Sequence, residues 1–494
     1  MKANLMFRDR DFNMTGPTCY ASDTLCADFE LKHVVDTMAK DDKFIYAACY
    51  SALFNPLETL DDISYRQANL RDALAAPGHV RRLYALLDET AQIQKQSNFF
   101  LSSSIALSDS LNSAVGLLRI FTDTLGHLRK FAEEATKAFS AEGFTTLFKM
   151  LKTELSDEFL NEVKAQLKDL RDQDELLISA RLGEYNQSTN YTLRRKVKLG
   201  FFNRFKMTAT YTVKDDDFAG IADINSRRDR AINETVSVLT QAVRYLEDFY
   251  LMLRSELAFY VGCINLADFL KEKGSPYCIP ELLAPEQERR EWANLCDLSL
   301  VVLRGEAVIG NELKSEGNKL FIVTGANNGG KSTFMRSFGQ AIMMAQAGMI
   351  VSADAFVAPI KLGIFSHFKR EEDTSMKSGK LDEEMERMNE ITKQLRKHSL
   401  LIFNEAFAST NEREGSEIHR QIVMALIEHD VEVLSVSHLF TFADAFSKVP
   451  NVQFLRAERL SDGGRSFKIL PGDPLETAYG EDIYKELFGE PIKA

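Results

Sequence analysis

The fold of this chain is decided by one stretch of its sequence, Leu320-Phe-Ile-Val-Thr-Gly-Ala-Asn-Asn-Gly-Gly-Lys331-Ser332-Thr333. The first five residues form an apolar, strand-like run, and the next eight, residues 325–332, match G-x-x-x-x-G-K-[ST] in full. Glycines in such a loop let successive backbone N–H groups point at the oxygens of a polyphosphate. We therefore expect a site for ATP, formed by Gly325, Ala326, Asn327, Asn328, Gly329, Gly330, Lys331, Ser332 and Thr333.

Two side chains of this loop have separate expected roles. Lys331 should lie between the β- and γ-phosphates, and the hydroxyl of Ser332 should bind Mg²⁺. The alternative is a glycine turn that precedes Lys-Ser by chance. The apolar strand before the loop and the apolar helical pattern from Phe334 onward favour the nucleotide site.

A second apolar run, residues 400–403, ends in Asn404 and Glu405. A glutamate at this place can polarise an attacking water, and the residue before it can hold Mg²⁺. Asn404 stands where an aspartate is usual, so it offers a carbonyl oxygen to the metal but no negative charge. We expect Glu405 to be catalytic and Asn404 to be a metal ligand. The alternative is a buried strand that ends in a solvated Asn-Glu turn.

A third apolar run, residues 433–436, ends in Ser437 and His438. Parallel sheets gather their ligands at the carboxyl ends of their strands. We expect His438 to sense the γ-phosphate, because histidine changes charge and hydrogen bonding readily near neutral pH. A structural role is the alternative for a lone histidine.

Strand-like and helical runs alternate after Pro280, and this pattern predicts an α/β fold with a mostly parallel, helix-covered sheet. The predicted strands are 298–303, 320–324, 400–403, 431–436 and 452–456. Upstream, from 56 to 271, the helical period dominates, most clearly over 121–139, 144–170 and 239–260. Long amphipathic helices in pairs indicate levers or an antiparallel coiled arm, and an ordinary helical bundle is the alternative.

Between these helices, β-prone residues around Gly200 predict a β-like insertion at about 190–215, at the tip of the arm. Three phenylalanines lie among its cations, and no acid follows until Asp215. Cations neutralise phosphates and aromatic rings stack on bases. The expected nucleic-acid contacts are Arg194, Arg195, Lys196, Lys198, Arg204 and Lys206. The alternative is a solvated hairpin whose phenylalanines pack against the arm.

The composition limits the class of protein. The 494 residues are 45% hydrophobic and 27% charged, which supports sizeable cores and excludes wholesale disorder. A net charge of −12 excludes a uniformly basic nucleic-acid coat but allows a local basic patch. The six cysteines form no C-x-x-C pair and indicate reduced thiols in a cytoplasmic protein. Neither a signal-peptide core nor a run of 18 apolar residues occurs, so we expect no membrane span.

Residues from about 310 to 487 resemble the ATPase domain of the MutS family, a branch of the ABC-type ATPases. The run 324–336 resembles that family's T-G-P-N-M-G-G-K-S-T-x-M-R, with Ala326 in place of its Pro and Asn328 in place of its Met. The segments around 400–415, 437–440 and 478–480 resemble the family's strand-D-E, T-H-x-x and S-Y-G segments. The resemblance implies a Mg²⁺-dependent ATPase that acts as a homodimer through its ATPase domains.

A further likeness lies at the family's signature segment, S-x-F-x-x-E-M. Glu384 and Met385 fit it, Gly379 falls at the Ser position, and Ser378 stands just before that position. Because ABC-type sites are composite, the resemblance implies that Ser378 and Gly379 contact the ATP of a second copy.

Upstream, residues 55–57 and 63–68 are similar to the P-L-x-x-x-x-x-I-x-x-R-Q-x-A-V opening of the family's core helical domain. The resemblance implies a multidomain fold. A small helical segment at 1–55 precedes an α-helical core and lever domain at 56–275, which carries a shortened, β-like clamp insertion. An α/β P-loop ATPase domain of ABC type follows at 276–494.

The function implied by the resemblance is an ATP-gated clamp on branched or otherwise distorted double-stranded DNA, in repair or recombination. Direct mismatch recognition is not expected, because residues 1–25 leave no room for the family's mismatch-reading and connector domains; no nuclease domain is expected either. Two alternatives stay open. One is a nucleotide-gated factor that acts on RNA or ribosomes, since contacts to phosphates do not distinguish nucleic acids. The other is an ATPase that regulates proteins and binds no nucleic acid.

Overall fold

The computed structural model describes residues 1–101, 107–171, 177–186, 188–194, 217–369, 379–460 and 464–474. The chain forms two compact units. The first unit comprises Met1–Ala3, Gly78–Ser140 and Phe144–Arg254, and the second comprises Asn4–Pro77, Ala141–Gly143 and Ser255–Ala494. The segments 1–55, 56–275 and 276–494 divide the chain differently, and as domains they stay a prediction.

The second unit begins with a segment that has no regular secondary structure and is fixed by buried side chains. The carboxylate of Glu256 accepts hydrogen bonds from the backbone N–H groups of Leu5, at 2.6 Å, and Met6, at 3.3 Å. The Tyr260 hydroxyl donates to the Leu5 carbonyl at 2.6 Å. Four helices follow: α1 (Ser22–Asp28), α2 (Leu31–Ala39), α3 (Lys43–Leu53) and α4 (Leu60–Ala75).

Helix α4 is tied into the second unit by two buried polar side chains. Its first turn starts at Thr59, whose hydroxyl accepts from the Asp62 N–H at 3.3 Å. Arg66 is 1% exposed and donates to the carbonyl of Ala347 at 2.9 Å, and Gln67 donates to the carbonyl of Pro280 at 2.9 Å. These contacts satisfy buried donors and link α4 to segments far along the chain.

The first unit is built from long helices, as the helical period predicted, and one antiparallel hairpin. Its elements are α5 (Pro77–Leu101), α6 (Leu107–Ala135), α7 (Glu142–Glu154), α8 (Asp157–Arg171), β1 (Leu177–Leu182), β2 (Ser188–Arg194) and α9 (Phe218–Glu272), of which α9 continues into the second unit. The apolar pattern over 144–170 is divided into two helices. The reason is Ser156, whose hydroxyl accepts from the Phe159 N–H at 3.1 Å and caps α8.

In the hairpin, Leu177 pairs with Arg194 and Leu182 pairs with Ser188. The β-prone residues 191–193 therefore lie in a strand, as predicted, and that strand's partner begins upstream of the predicted insertion. The predicted β-prone run at 207–213 lies outside the described residues.

The remainder of the second unit alternates strands and helices. In chain order they are β3 (Glu281–Leu283), β4 (Arg290–Leu295), α10 (Leu298–Arg304), β5 (Asn311–Ser315), β6 (Leu320–Gly325), α11 (Lys331–Gln346), β7 (Ala355–Pro359), β8 (Ile364–Phe368), α12 (Lys380–Thr392), β9 (Leu400–Asn404), α13 (Glu412–Glu428), β10 (Glu432–Val436), α14 (Phe440–Asp444), β11 (Val452–Arg459) and β12 (Arg465–Pro471).

The strand predicted at 298–303 is wrong: this run is helix α10. The side chain of Asp297 caps the helix by accepting from the Leu300 N–H, and Gly305 ends it with a φ of 68°. The β-prone composition of the run is overridden by these two caps. The other four predicted strands are confirmed as β6, β9, β10 and β11.

A six-stranded sheet carries the order β12-β11-β6-β10-β9-β8, and only β12 runs antiparallel to its neighbour. The prediction of a mostly parallel sheet is confirmed. On one face of this sheet, alternate strand residues such as Leu320, Leu401 and Val433 pack against buried residues of α12, α13 and α14. Helix α11 contacts β6, β9 and β10. A second sheet has the order β3-β7-β4-β5. Of the helices in the described part of the chain, none has the length and apolar character needed to cross a membrane.

Candidate functional site

Three strands of the six-stranded sheet end side by side. Strand β10 lies between β6 and β9 and is parallel to both, with Val436 paired to Val323 on one side and to Asn404 on the other. The backbone continues this register, since the Glu405 N–H donates to the Val436 carbonyl at 2.9 Å. The segments that follow these strands therefore meet at one edge of the sheet, where parallel sheets bind ligands.

The loop after β6 has glycines where the backbone requires them. Gly325 and Gly330 have φ angles of 105° and 89°, which residues other than glycine rarely adopt. A Cβ atom at Gly329 would lie 2.7 Å from the Cβ of Ala457 on β11. The loop thus passes close to the neighbouring strand and turns tightly into α11.

The first turn of α11 is suited to bind an anion. The helix begins at Lys331, and no side chain caps it at Gly330. The first backbone N–H groups of a helix lack intrahelical partners and lie at the positive end of its dipole. A phosphate placed at this turn would supply acceptors for those groups.

Lys331 is 7% exposed and is held at the centre of the loop. Its ammonium group donates to the carbonyl of Gly325 at 2.9 Å and to that of Ala326 at 3.0 Å. Burial lowers the pKa of Lys331, and the nearby carboxylate of Glu405 opposes this shift. A polyphosphate would offer this cation charged oxygens in place of neutral carbonyls, which makes a stronger hydrogen bond.

The donor set at the end of β9 and the start of α11 fits Mg²⁺ with its nucleotide. Among the residues that the structure describes, Asn404 Oδ1 is buried and has no hydrogen-bond partner, so it is an acceptor left for a ligand. Ser332 is exposed in the first turn of α11. The described residues contain no group of three or more His, Cys, Asp and Glu that could hold a metal. Amide and hydroxyl oxygens are ligands that Mg²⁺ accepts, and substrate phosphates and water commonly complete its coordination.

Glu405 and His438 lie next to each other at the same edge. His438 Nδ1 is 3.6 Å from Glu405 Oε1, and both side chains are more than one-third exposed. His438 lowers the pKa of Glu405 most, and Lys369 and Lys331 lower it further against the opposing effect of burial. Glu405 is therefore ionised at neutral pH and can accept a proton or a hydrogen bond from water. Its φ of 53° is a strained backbone conformation of the kind found at functional sites.

The structure brings together the predicted loop residues 325–333 with Asn404, Glu405 and His438. Gly379 is the residue before α12 and has extended backbone angles. Arg194 ends β2. The other predicted trans contact and nucleic-acid contacts lie outside the described residues: Ser378, Arg195, Lys196, Lys198, Arg204 and Lys206.

Strands β11 and β12 add neighbours of the loop that the sequence analysis did not single out. Arg465 donates to the Asn327 carbonyl at 3.2 Å, and a Cβ at Gly330 would contact the backbone of Phe467 at 3.5 Å. No motif marks these residues. The sequence did predict the strand-like run at 452–456, which is β11. It did not predict that this strand lies beside β6.

Two family models match separate stretches of the chain. The model described as MutS2 N-terminal domain matches residues 58–273, and the model described as MutS domain V matches residues 321–470. The chain is a member of the MutS family. In this MutS-family chain, the second match covers the strand–loop–helix unit and the ends of β9 and β10 that form the site.

Curated relatives are similar to parts of this MutS-family chain. A DNA mismatch repair protein MutS from Thermus thermophilus is 30% identical over 194 residues, which are 39% of this chain and 23% of that protein. A DNA mismatch repair protein MutS from Lactobacillus johnsonii is 29% identical over 199 residues, with coverages of 39% and 23%. An Endonuclease MutS2 from Thermus thermophilus is 25% identical over 134 residues, with coverages of 27% and 18%. The matched part therefore spans less than a quarter of each relative.

Proposed function

We propose that this MutS-family chain is a Mg²⁺-dependent ATPase that clamps branched or otherwise distorted DNA in repair or recombination. The observation that carries the proposal is the meeting of the phosphate loop, Glu405 and His438 at the ends of three adjacent parallel strands. The names of the curated relatives, DNA mismatch repair protein and Endonuclease MutS2, support DNA as the target.

The finer layout that we propose assigns a role to each part of the chain. The long helices of the first unit act as levers, and the hairpin β1–β2 with the residues after it forms a small clamp. Helix α9, which runs for 55 residues, supports the lever assignment. Residues 276–494 form an ABC-type ATPase domain, which the parallel sheet and its phosphate loop support.

ATP is bound mainly by charge and by backbone donors. The N–H groups at the start of α11 and in the glycine loop donate to the phosphate oxygens, and Lys331 neutralises charge between the β- and γ-phosphates. Ser332 and Asn404 would hold Mg²⁺, which supplies positive charge toward the phosphate oxygens when it is bound.

Hydrolysis requires a water aligned with the γ-phosphorus, and Glu405 is the group that can align it. Glu405 accepts the proton of the attacking water as the bond to the β,γ-bridging oxygen breaks, and ADP and phosphate leave. His438, 3.6 Å from Glu405, orients that carboxylate and contacts the γ-phosphate. Both groups lie directly after parallel strands of one sheet, which places them at the same end of that sheet.

The active form that we propose is a homodimer through the ATPase domains. Residues Ser378 and Gly379 of one copy contact the ATP of the other. The position of Gly379 at the start of α12 supports this part, because the N–H groups of that turn can face an anion. ATP then holds the two copies together and hydrolysis releases them, which opens and closes the clamp.

The experiment on nucleotide binding is a calorimetric titration of ATP into the parent protein, Lys331→Ala and Lys397→Ala. Lys397 is an exposed lysine that precedes β9, at the end of the strand opposite the site, so it is the matched control. Lys331→Ala should weaken ATP binding by about tenfold or more, because a partly buried, charge-assisted contact is lost. Equal affinities for all three proteins would contradict the proposed site.

The experiment on the target is recovery of bound nucleic acid from the full-length protein, with and without a non-hydrolysable ATP analogue, followed by sequencing. Recovery of DNA that depends on the nucleotide supports the clamp on DNA. Recovery of RNA, or of proteins without nucleic acid, would replace it with one of the two alternative functions.

A further inference from the structure

The loop after β9 has an unusual backbone. Glu405 and Phe407 have φ angles of 53° and 58°, so two non-glycine residues within three positions adopt the left-handed conformation. Such conformations are costly and persist only where the surroundings hold them. The position of the Glu405 carboxylate therefore depends on whatever fixes this loop.

Helix α12 fixes the loop through one carboxylate. Glu384 Oε2 accepts a hydrogen bond from the Phe407 N–H at 2.8 Å, and Glu384 is only 8% exposed. The backbone carbonyl of Glu384 lies 3.1 Å from His367 Nε2 on β8, so this turn of α12 is itself held against the sheet. Burial raises the pKa of Glu384, and the Phe407 N–H opposes that shift.

The ring and carbonyl of Phe407 are enclosed on the other sides. Its ring stacks on His367, with centroids 5.3 Å apart and an angle of 22°, and lies 5.5 Å from the ring of His419 on α13. A Cβ atom at Gly415 would lie 2.2 Å from the Phe407 carbonyl oxygen, so α13 approaches the loop as closely as a glycine allows. The loop can move only if α12 or α13 moves with it.

Glu384 also lies close to the start of α12. The helix begins at Lys380, directly after Gly379, so the carboxylate is on the second turn, about 6 Å along the axis from the first residue. Within so short a distance a helix is rigid, and a displacement of its first turn is transmitted to Glu384.

We propose that Glu384 is a positioning residue for hydrolysis: its hydrogen bond to the Phe407 N–H transmits the position of the start of α12 to Glu405, two residues away. This inference rests on the proposed function, in which Glu405 acts on ATP and the start of α12 contacts the ATP of a second copy. It adds a direct link by which nucleotide at one site sets the hydrolysis rate at the other.

The test compares Glu384→Ala, Glu384→Gln and the control Glu386→Ala, which removes an exposed carboxylate from the same helix. In Glu384→Ala the buried Phe407 N–H has no acceptor, so kcat should fall by about tenfold or more while the Kd for ATP stays unchanged. In Glu384→Gln the amide oxygen can accept the same hydrogen bond, so kcat should stay within a few-fold of the parent. Glu386→Ala should behave as the parent.

Hydrogen exchange of a peptide covering 404–409 measures the contact without reference to activity. Exchange should be faster in Glu384→Ala and unchanged in Glu384→Gln and Glu386→Ala. An unchanged kcat in Glu384→Ala together with faster exchange would overturn the inference, and so would a Glu384→Gln protein as slow as Glu384→Ala. A parent protein without ATPase activity would contradict the proposed function instead, and that result is visible before any Glu384 variant is made.

Discussion

Asn404 is the residue at which this site differs most from an aspartate-bearing metal site. Asn404 is the last residue of β9, directly before Glu405. Its Oδ1 atom is buried and has no hydrogen-bond partner among the described residues. An amide oxygen binds Mg²⁺ but attracts it less strongly than a carboxylate does. The charge at this position should therefore set how much Mg²⁺ the proposed ATPase reaction needs.

The first prediction concerns this charge. Asn404→Asp should lower the Mg²⁺ concentration for half-maximal ATPase activity by about fivefold, equivalent to ~1 kcal/mol of added attraction. The measurement is the ATPase rate at fixed ATP over a Mg²⁺ titration, with Asn389→Asp on the exposed side of α12 as the control. Coincident titrations for Asn404→Asp and the parent would mean that Asn404 does not contact the metal.

A second residue, Glu256, gives the protein a pH-dependent stability. Burial raises the pKa of Glu256 to about 7, although the N–H groups of Leu5 and Met6 oppose the shift. Because the folded pKa lies above that of the unfolded chain, the stabilising contribution of the protonated form is complete below about pH 4.5 and is lost as the pH rises through 7.

The second prediction follows from that sign. Glu256→Gln keeps an oxygen that accepts from Leu5 and Met6 but carries no charge. Its unfolding free energy should rise relative to the parent by up to about 3 kcal/mol between pH 4.5 and pH 8, at ~1.4 kcal/mol for each pKa unit. Thermal unfolding midpoints of both proteins at pH 5, 6, 7 and 8 measure this difference. Parallel pH profiles would show that Glu256 does not titrate in this range.

At the scale of elements, local capping decided cases in which the apolar pattern was ambiguous. The run 298–303 is a helix because Asp297 and Gly305 cap it, and the pattern over 144–170 is interrupted because Ser156 caps α8. All three capping residues are of types that mark helix ends in a sequence, so these two outcomes were predictable from the sequence. The strand–loop–helix unit at 320–346 needed no correction, since its strand, turn and helix signals agree.

The third prediction concerns the cations from Arg194, the last residue of β2, to Lys198. Replacing Arg194, Arg195, Lys196 and Lys198 by Ala should weaken DNA binding and reduce the slope of log affinity against log salt by up to about four, roughly one for each lost phosphate contact. Binding isotherms at several salt concentrations measure the slope. A matched control replaces four cations from other parts of the chain, namely Arg289, Lys314, Lys397 and Arg420. Isotherms that match the parent would assign these residues a structural role and leave the proposed levers as the place to seek the contact.

At the scale of the whole molecule, the proposed clamp needs two copies and ATP. One chain supplies the loop 325–333, Glu405 and His438 to its own site, while the proposed trans contact comes from the start of α12 of the other copy. Two such sites would form in each dimer, so nucleotide would contribute to the affinity between the chains.

The fourth prediction tests that assembly. Glu405→Gln should bind ATP with little turnover and sediment as a dimer with Mg²⁺ and ATP but with a larger monomer fraction without them. The double variant Lys331→Ala, Glu405→Gln should stay in the nucleotide-free distribution, because it lacks the lysine that binds the phosphates. A Glu405→Gln protein that is monomeric under both conditions would contradict the composite site.

The sequence by itself determined the parts of the site that depend on short-range order. The glycine loop, Lys331 and the polar ends of three apolar strands are contiguous signals, and a strand followed by a glycine loop and a helix has few other solutions. The parallel sheet was predictable as well, because strands that alternate with helices favour it.

Only the tertiary structure decided which strands are neighbours. It sets β10 between β6 and β9, so that His438 meets Glu405, and it brings Ala457 against the glycine loop and Glu384 against Phe407. Glu384 is distant from Phe407 in the chain, and no spacing rule joins them. Their contact arises because α12 and the loop after β9 pack on one core, and packing joins residues by shape and burial rather than by their order in the sequence.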